Sequence, residues 1–244
     1  MSTTRELLDV ERRARAIAAA APFDAWPDVA LGRLANAARV VTYRRGEVIQ
    51  AQGSRLDSVV VPVSGTIQSS AQNQAGRRYT FVIYHGAAAY GLLPLVDGQE
   101  LPNDTIAATA VVALVIPFAA IHAELAREPA LWQSLAYEVS LRARRNARQW
   151  TQLALEPLRA RAAAVLVALA ESSNPPADSG PVTLSVPLPQ ERFGEMLGVS
   201  RQTATALVGD LVDAGLVRWR YGRVSVLDLG ALREAARAGG NSRP

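Results

Sequence analysis

A short run of hydrogen-bonding side chains, Ser200-Arg201-Gln202-Thr203, follows a glycine within the stretch PQERFGEMLGVSRQTATALVGDLVDAGL, residues 189–216. An arginine fork can pair with O6 and N7 of guanine, and a glutamine amide suits N6 and N7 of adenine. On the exposed first turn of a helix, these groups could enter the major groove of DNA. The candidate base-reading residues are therefore Arg201, Gln202, Thr203 and Ala206.

Two short helices crossing at a steep angle are needed to hold that run in place. Apolar residues recur where such helices would face each other: Phe193, Leu197, Val199, Ala204 and Leu207. A side chain at Gly194 would push the helices apart, Gly198 suits a turn that needs positive φ, and Ser200 can cap the second helix. The pattern predicts a helix-turn-helix, although two amphipathic helices of an ordinary core remain the alternative.

The residues after these two helices favour the helix-turn-helix. A third amphipathic segment, Ala206 to Ala214, leads to Gly215 and to two alternating runs around a glycine-containing turn, which predict a β-hairpin. A helix-turn-helix with a basic-tipped hairpin is a winged helix. We expect four residues to contact the phosphate backbone: Gln190, Ser200, Arg220 and Arg223.

The composition excludes several other chemistries. The chain has 244 residues, enough for two domains, and contains no cysteine, which excludes disulfides, iron–sulfur clusters, thiolate-bound zinc and a thiol redox switch. A net charge of +4 is compatible with a polyanionic partner without requiring one. No apolar run reaches the roughly 18 residues of a membrane helix, and no signal peptide is evident, so we expect a cytoplasmic protein with no membrane partner.

The preceding chain changes its periodicity twice. Helical spacing over Arg5–Ala21 and again from Trp26 predicts two N-terminal helices. The second helix is expected to pack on the following chain through a face of four residues: Val29, Leu31, Leu34 and Ala38. Short β-rich runs closed by glycine or polar turns then predict an all-β sandwich or barrel. The runs are Arg39–Tyr43, Glu47–Ala51, Ser58–Val63, Gly65–Ser70, Arg77–Tyr84, Ala88–Leu92 and Thr105–Ile116.

Helical spacing returns with a helix over Phe118–Ala126 and a long helix from Pro129 to about Leu155. The long helix carries a stripe that either lies across its own domain or pairs with a second chain, the arrangement we favour. The stripe consists of Leu131, Leu135, Val139, Arg142, Asn146, Trp150 and Leu153. A hinge at Leu155, Glu156 and Pro157 follows, because proline breaks one helix and suits the first position of the next. The expected domains are residues 1–128, 129–156 and 157–244.

Three segments of the β-rich part, RRGEVIQAQG, VVVPVSGTIQ and YHGAAAYGLLPLVDGQ, resemble the cyclic-nucleotide-binding β-roll of the CRP/FNR family of bacterial transcription regulators. The resemblance implies an α+β fold: an antiparallel, jelly-roll-like β-roll, a long dimerisation helix and a C-terminal winged helix-turn-helix. It also implies a homodimer on a near-palindromic site in double-stranded DNA, with recognition helices about 34 Å apart. RNA polymerase becomes a candidate partner. Nothing in the sequence resembles the motifs of an enzyme.

The effector pocket that the resemblance implies would include Gly91, Leu92, Asn103, Asp104 and Asn146. Cyclic-AMP-binding members have glutamate after the glycine, then arginine and serine about ten residues later, and a Thr-Ser pair on the dimer helix. This chain has Leu92, Asn103 and Asp104, and Asn146-Ala147, so we expect weak or no cyclic AMP binding, since aspartate repels a phosphate.

We expect DNA binding to be controlled by an unknown small-molecule effector other than cyclic AMP. Two alternatives are a regulator active without ligand, its pocket filled by side chains such as Leu92 and Leu93, and a ligand-binding module whose winged helix contacts protein. Haem is not expected, because His85 and His122 are the only histidines and suit ordinary positions. The sequence predicts no metal site and no other cofactor.

Overall fold

The computed structural model describes residues 9–76, 78–85, 88–173 and 180–237. Their contacts divide the chain into two compact units. The first runs up to Ala71 and from Ile83 to Arg145, and the second contains residues 72–82 and the chain from Asn146 onward. The three-part division expected from the sequence stays a prediction.

The first helix of the first unit ends earlier than predicted, at Ala18 instead of Ala21. Helix α1 spans Val10–Ala18, because Asp9 is extended and its carboxylate accepts from the Glu11 N–H as an N-cap. The predicted start at residues 5–8 lies outside the described residues. After a 3₁₀ turn at Phe23–Ala25, helix α2 spans Asp28–Ala37.

Helix α2 presents a different face to the core from the one the spacing predicted. Its buried residues are Ala30, Leu31, Leu34 and Ala35, whereas Val29 is 68% exposed. The predicted face combined Val29 with Leu31, Leu34 and Ala38, and Val29 was therefore wrongly assigned to it. Positions 30, 31, 34 and 35 follow the helical repeat, so Ala30 takes the place expected for Val29.

Within the described residues, seven strands form the β-roll, in two sheets with the orders β1-β7-β3 and β2-β6-β4-β5. Their bounds are Arg39–Tyr43 (β1), Val48–Gln50 (β2), Ser58–Ser64 (β3), Thr66–Gln72 (β4), Arg78–His85 (β5), Asp104–Ala107 (β6) and Val111–Pro117 (β7). The pairs β1·β7, β3·β7, β2·β6 and β4·β6 are antiparallel. Apolar residues of β3 and β7 pack with α1, α2 and the helix after β7 into one core cluster, and a second cluster includes Ile67 and Tyr90.

Two strand predictions were wrong. The run Thr105–Ile116 is two strands, β6 and β7, which lie in different sheets. Ala88–Leu92 contains only isolated bridges at Ala88 and Tyr90, and Leu92 begins helix α3, Leu92–Asp97. Gly91 makes that change of direction, since its φ of 88° is costly for any residue with a Cβ atom.

Helix α4, Phe118–Arg127, attaches to α2 through a buried carboxylate. Glu124 is 3% exposed, accepts two hydrogen bonds from the Arg33 guanidinium at 2.7 and 2.6 Å, and also pairs with Arg127. The hydrogen bonds from Arg33 outweigh burial and lower the pKa of Glu124. The carboxylate therefore stays charged at neutral pH inside the first unit.

The long helix begins later than predicted. Residues Pro129–Leu131 form a 3₁₀ turn, and helix α5 spans Trp132–Leu155, 24 residues that run from the first unit into the second. The first part of the predicted stripe does not face a second chain, because Leu131 and Leu135 belong to the core of their own unit. In the later part, Val139, Arg142 and Leu153 are half-buried, and Asn146 and Trp150 are exposed.

The second unit is a small helical domain with a three-stranded sheet of order β8-β10-β9. Its elements are α6 (Leu158–Ser173), β8 (Val182–Thr183), α7 (Gln190–Leu197), α8 (Arg201–Asp213), β9 (Val217–Arg220), β10 (Arg223–Val226) and α9 (Leu229–Arg237). The break between α5 and α6 confirms the interruption expected at Glu156-Pro157. Within the described ranges, no helix is both long and apolar enough to cross a bilayer.

Candidate nucleic-acid interface

The turn between α7 and α8 has the geometry that its two glycines predicted. A Cβ atom on Gly194 would lie 3.2 Å from both the Ala204 Cβ and the Val199 carbonyl oxygen, so glycine permits the close crossing. Gly198 has φ 69° and closes α7 in the left-handed conformation. The helix-turn-helix is therefore confirmed, with the two helices packed through their small residues.

Helix α8 presents its first turn to solvent. The Ser200 hydroxyl accepts from the Thr203 N–H at 3.1 Å, which confirms the predicted N-cap. The side chains of Arg201, Gln202 and Thr203 are exposed, as is Ala206 one turn later. The segment Ala206–Ala214 is not a separate third element, because α8 continues without a break to Asp213.

Thr205 is an exposed residue of the same helix that the sequence did not single out. Its hydroxyl lies 2.9 Å from the Gln190 side-chain oxygen and 2.9 Å from the Arg201 carbonyl. Gln190 is thereby held at the start of α7, close to the recognition helix. Its expected contact with phosphate stays a prediction, for which its amide N–H₂ is the suitable donor.

The predicted wing is present and carries two arginines at its tip. Arg220 and Arg223 are directly opposite each other in the β9–β10 ladder and both are exposed. The two-residue turn between them, Tyr221-Gly222, has φ 51° and 76°, as in a tight hairpin with two left-handed residues. Like charges directly opposite each other destabilise a strand pair, and an anion between them would relieve that repulsion.

One contact to a helix and one to a further strand hold the wing in place. The rings of Phe193 in α7 and Trp219 in β9 pack with centroids 5.1 Å apart. Strand β8, which sequence periodicity did not predict, adds a third strand through Val182 and Thr183. The wing arginines are therefore carried by a three-stranded sheet that packs against α7.

The residues expected to line an effector pocket differ from one another in burial and in their contacts. Gly91 precedes α3, and a Cβ atom there would lie 2.9 Å from the Gln50 side-chain nitrogen. Leu92 is 2% exposed and belongs to the main core, whereas its neighbour Leu93 is 45% exposed. Leu93 therefore does not fill the interior as the ligand-independent alternative expected.

Two further pocket candidates are bonded within the β-roll. The Asn103 amide donates to the Ser69 hydroxyl at 2.5 Å, and the Asp104 carboxylate accepts from the Gln52 N–H at 2.8 Å. The fifth candidate, Asn146, is exposed on α5 and belongs to the second unit. The proposed role of all five residues in ligand binding stays a prediction.

The histidines add little to the site. His122 is exposed and a ring nitrogen lies 3.1 Å from the Leu95 carbonyl oxygen, while the side chain of His85 lies outside the described part. Across the described ranges, no three His, Cys, Asp or Glu side chains are grouped as metal ligands.

A β-roll followed by a long helix and a winged helix-turn-helix defines a class of DNA-binding transcription regulators. The family model of the Crp-like helix-turn-helix domain matches residues 160–235, and that of the cyclic nucleotide-binding domain matches residues 40–128. The chain belongs to the CRP/FNR family.

Its relatives are bacterial transcription regulators. The transcriptional regulator SdrP of Thermus thermophilus is 27% identical over 205 residues, 83% of this chain and 96% of that protein. The CRP-like cAMP-activated global transcriptional regulator of Mycobacterium tuberculosis is 23% identical over 221 residues, 91% of this chain and 98% of the other. A crystal structure of a CRP/FNR-family transcriptional regulator from Thermus thermophilus matches with a TM-score of 0.70 and 27% identity, covering 83% of this chain and all (100%) of that one.

Proposed function

We propose that this protein is a homodimeric, sequence-specific DNA-binding regulator controlled by a small-molecule effector other than cyclic AMP. The observation that carries the proposal is the first turn of α8, where Arg201, Gln202 and Thr203 are exposed on a helix capped by Ser200. Arg201 reads a guanine, and Gln202 prefers an adenine to the cytosine that a glutamate would favour. Arg220 and Arg223 of the wing contact phosphates and fix the orientation.

Dimerisation is supported by apolar side chains left exposed on the long helix. Tyr137 and Leu155 are 66% and 76% exposed, and their separation of five helical turns places them on the same side of α5. Trp150, 63% exposed, lies on another side of the helix. A two-fold pair of such helices would present two recognition helices to successive major grooves. A near-palindromic site follows from that symmetry.

The nature of the effector is constrained by the residues that replace the charged groups of cyclic-AMP-binding members. Leu92 offers no carboxylate for a ribose, and Asn103 and Asp104 offer no cation for a phosphate. The Mycobacterium tuberculosis relative is named as cAMP-activated, but these positions argue against the same ligand here. Calorimetry with purified protein should give no tight cyclic AMP binding, and a submicromolar Kd would contradict this part of the proposal.

Control by an effector requires two arrangements that the ligand distinguishes. A ligand shifts the population toward DNA binding only if it binds the DNA-competent arrangement more tightly. The break at Leu155 to Pro157 between α5 and α6 is the element that we expect to bend. Because Asn103 and Asp104 are already bonded within the roll, a regulator active without ligand is the second candidate. Adding cell extract to extensively dialysed protein should raise DNA affinity for the first and leave it unchanged for the second.

Replacement of Arg201 tests the base-reading assignment. Selection of bound DNA from random sequences defines the wild-type site, and Arg201→Ala should weaken binding by about 1 to 3 kcal/mol and relax one position of it. Arg15→Ala is the matched control, because it removes the same charge from an exposed helix whose ion pair with Glu11, at 3.9 Å, contributes little. An Arg201→Ala variant that keeps the wild-type base preference would contradict the assignment.

Salt dependence separates DNA binding from a protein-interaction role. Phosphate contacts release counterions, so log Kd should change steeply with log salt. If the winged helix instead contacts protein, the residual DNA affinity is weak and insensitive to salt.

A further inference from the structure

The turn between strands β4 and β5 contributes residues to the second unit rather than the first. Residues 72–76 and 78–82, here called the hairpin segment, group with the helix-turn-helix, although β4 and β5 also form an edge of the β-roll sheet. The sequence contains no local signal for this, because the hairpin segment and its hydrogen-bond partners in the helices are separated by 68 to 115 residues. Tyr79 and Thr80 make side-chain contacts with helices of the second unit.

Thr80 contacts the first helix of the helix-turn-helix directly. Its side chain is fully buried, and its hydroxyl donates to the Glu195 carboxylate at 3.1 Å. Glu195 lies three residues before Gly198, at the last turn of α7. A hydrogen bond to a carboxylate is stronger than one between neutral groups, so this contact holds α7 from the side of the hairpin segment.

Tyr79 contacts the turn itself and the end of the long helix. Its ring lies 3.8 Å from the position that a Cβ atom of Gly198 would occupy. Its hydroxyl accepts from the Gln149 amide at 3.1 Å, and the same nitrogen donates to the Phe81 carbonyl at 3.0 Å. Burial raises the pKa of Tyr79, so the phenol is neutral at physiological pH.

Arg161 of α6 completes the connection. Its guanidinium donates to the Leu153 carbonyl near the end of α5, at 3.3 Å, and to the Leu197 carbonyl at the end of α7. Positive charge is favourable at both places, because helix C-termini carry partial negative charge. The end of α5, the start of α6 and the end of α7 therefore share one network with the hairpin segment.

We propose that Thr80 and Tyr79 are positioning residues for DNA recognition: the hairpin segment holds α7 and its turn, and thereby sets where the first turn of α8 lies. The inference rests on the proposed DNA-binding function. Arg201, Gln202 and Thr203 are exposed, so the hairpin segment supports the reading surface without covering it.

Thr80→Val tests this with little change of shape, because it replaces a hydroxyl by a methyl group. On DNA obtained by selection from random sequence, the variant should bind about tenfold more weakly, the lower end of the effect expected for the loss of one hydrogen bond to a charged group. Base preference and the salt slope should match the wild type, since no DNA contact is removed. Thr80→Ser, which keeps the hydroxyl, should restore most of the affinity.

A double-mutant cycle shows whether Thr80 acts through Glu195. Thr80→Val should have no further effect on DNA affinity in a Glu195→Ala background. Each Kd refers to the active fraction measured by stoichiometric titration, so a loss of folded protein does not imitate weaker binding. Tyr79→Phe, which removes only the hydroxyl, provides a second variant and should weaken binding about twofold.

The outcomes separate this inference from the function on which it rests. If the wild type binds DNA and Thr80→Val binds equally well, only the inference is overturned, even where the variant unfolds at a lower temperature. An additive effect in the Glu195→Ala background, or failure of Thr80→Ser to restore binding, also overturns it. Absence of wild-type DNA binding overturns the function and the inference together.

Discussion

Gly91 and Gly198 both have left-handed backbone conformations, but the residue after Gly91 is buried in the core and the residues that follow the turn at Gly198 are exposed. In the first unit, Gly91 directs the chain into α3 so that Leu92 becomes part of the core. In the second unit, Gly198 ends α7 so that the residues after Ser200 become exposed. Exposed side chains lose only water when a ligand arrives, whereas buried or internally bonded ones must first give up their partners. The first turn of α8 can therefore bind DNA without breaking internal contacts. In the β-roll, Leu92 is buried in the core, and Asn103 and Asp104 already have hydrogen-bond partners within the protein.

The largest effect in this comparison is expected from placing a glutamate after Gly91, where cyclic-AMP-binding members have one. Leu92→Glu should destabilise the first unit by more than about 3 kcal/mol, because it places a carboxylate in an apolar core without a partner. Urea unfolding followed by circular dichroism measures the loss. Leu93→Glu is the matched control, since that side chain is half exposed and the change should cost less than about 0.5 kcal/mol. Equal stability of the two variants would show that Leu92 faces a polar cavity instead.

A buried carboxylate is tolerated in the same unit where arginines pair with it, as Glu124 shows. Glu124→Gln should cost about 1 to 2 kcal/mol at pH 7, limited by the solvent exposure of Arg33 and Arg127. Because the folded pKa of Glu124 is lowered, its stabilising effect is complete above the unfolded pKa of about 4.3. The effect is then lost as the pH falls through the folded pKa.

The stability difference between wild type and Glu124→Gln should accordingly shrink in acid. Urea unfolding at pH 7, 5, 4 and 3 measures it, with Glu11→Gln on the exposed helix α1 as the control. A difference that stays constant down to pH 3 would contradict the assigned ion pair.

In the second unit, the smallest predicted effect concerns packing. Gly194→Ala should destabilise the helix-turn-helix by about 1 kcal/mol, since the new methyl group meets Ala204 and Val199 at 3.2 Å, which outweighs the higher helix propensity of alanine. Gly209→Ala in α8 meets no atom within 4 Å and should stabilise by up to about 1 kcal/mol. Thermal unfolding of the two variants should move in opposite directions. A rise in both would show that α7 and α8 can separate slightly at no cost.

Local chemistry made the recognition unit predictable from sequence. Gly198 and Ser200 act on their immediate neighbours, through a left-handed turn and a cap, so spacing alone locates them. The wing was predictable from the alternation around Tyr221-Gly222. The predicted boundary at Ala206 was wrong, because α8 is a continuous helix from Arg201 to Asp213.

The elements that were predicted wrongly or not at all depend on tertiary contacts. Ala88–Leu92 alternates like a strand, yet Leu92 enters the core as the first residue of a helix. Leu131 and Leu135 have the spacing of an interface stripe, but their own unit covers them. Strand β8 has only two residues and depends on β10 for its definition. The contact from Thr80 to Glu195 spans 115 residues, a distance over which no sequence period carries information.

That long separation also affects how the protein is made. At a synthesis rate of about 5 to 20 residues per second, residue 195 follows Thr80 after roughly 6 to 23 seconds. During this interval the ring of Tyr79 and the hydroxyl of Thr80 lack their final partners, because α7 does not yet exist. The second unit is consequently completed only after its C-terminal helices have emerged and met a segment synthesised much earlier, and slow folding of high contact order is the expected result.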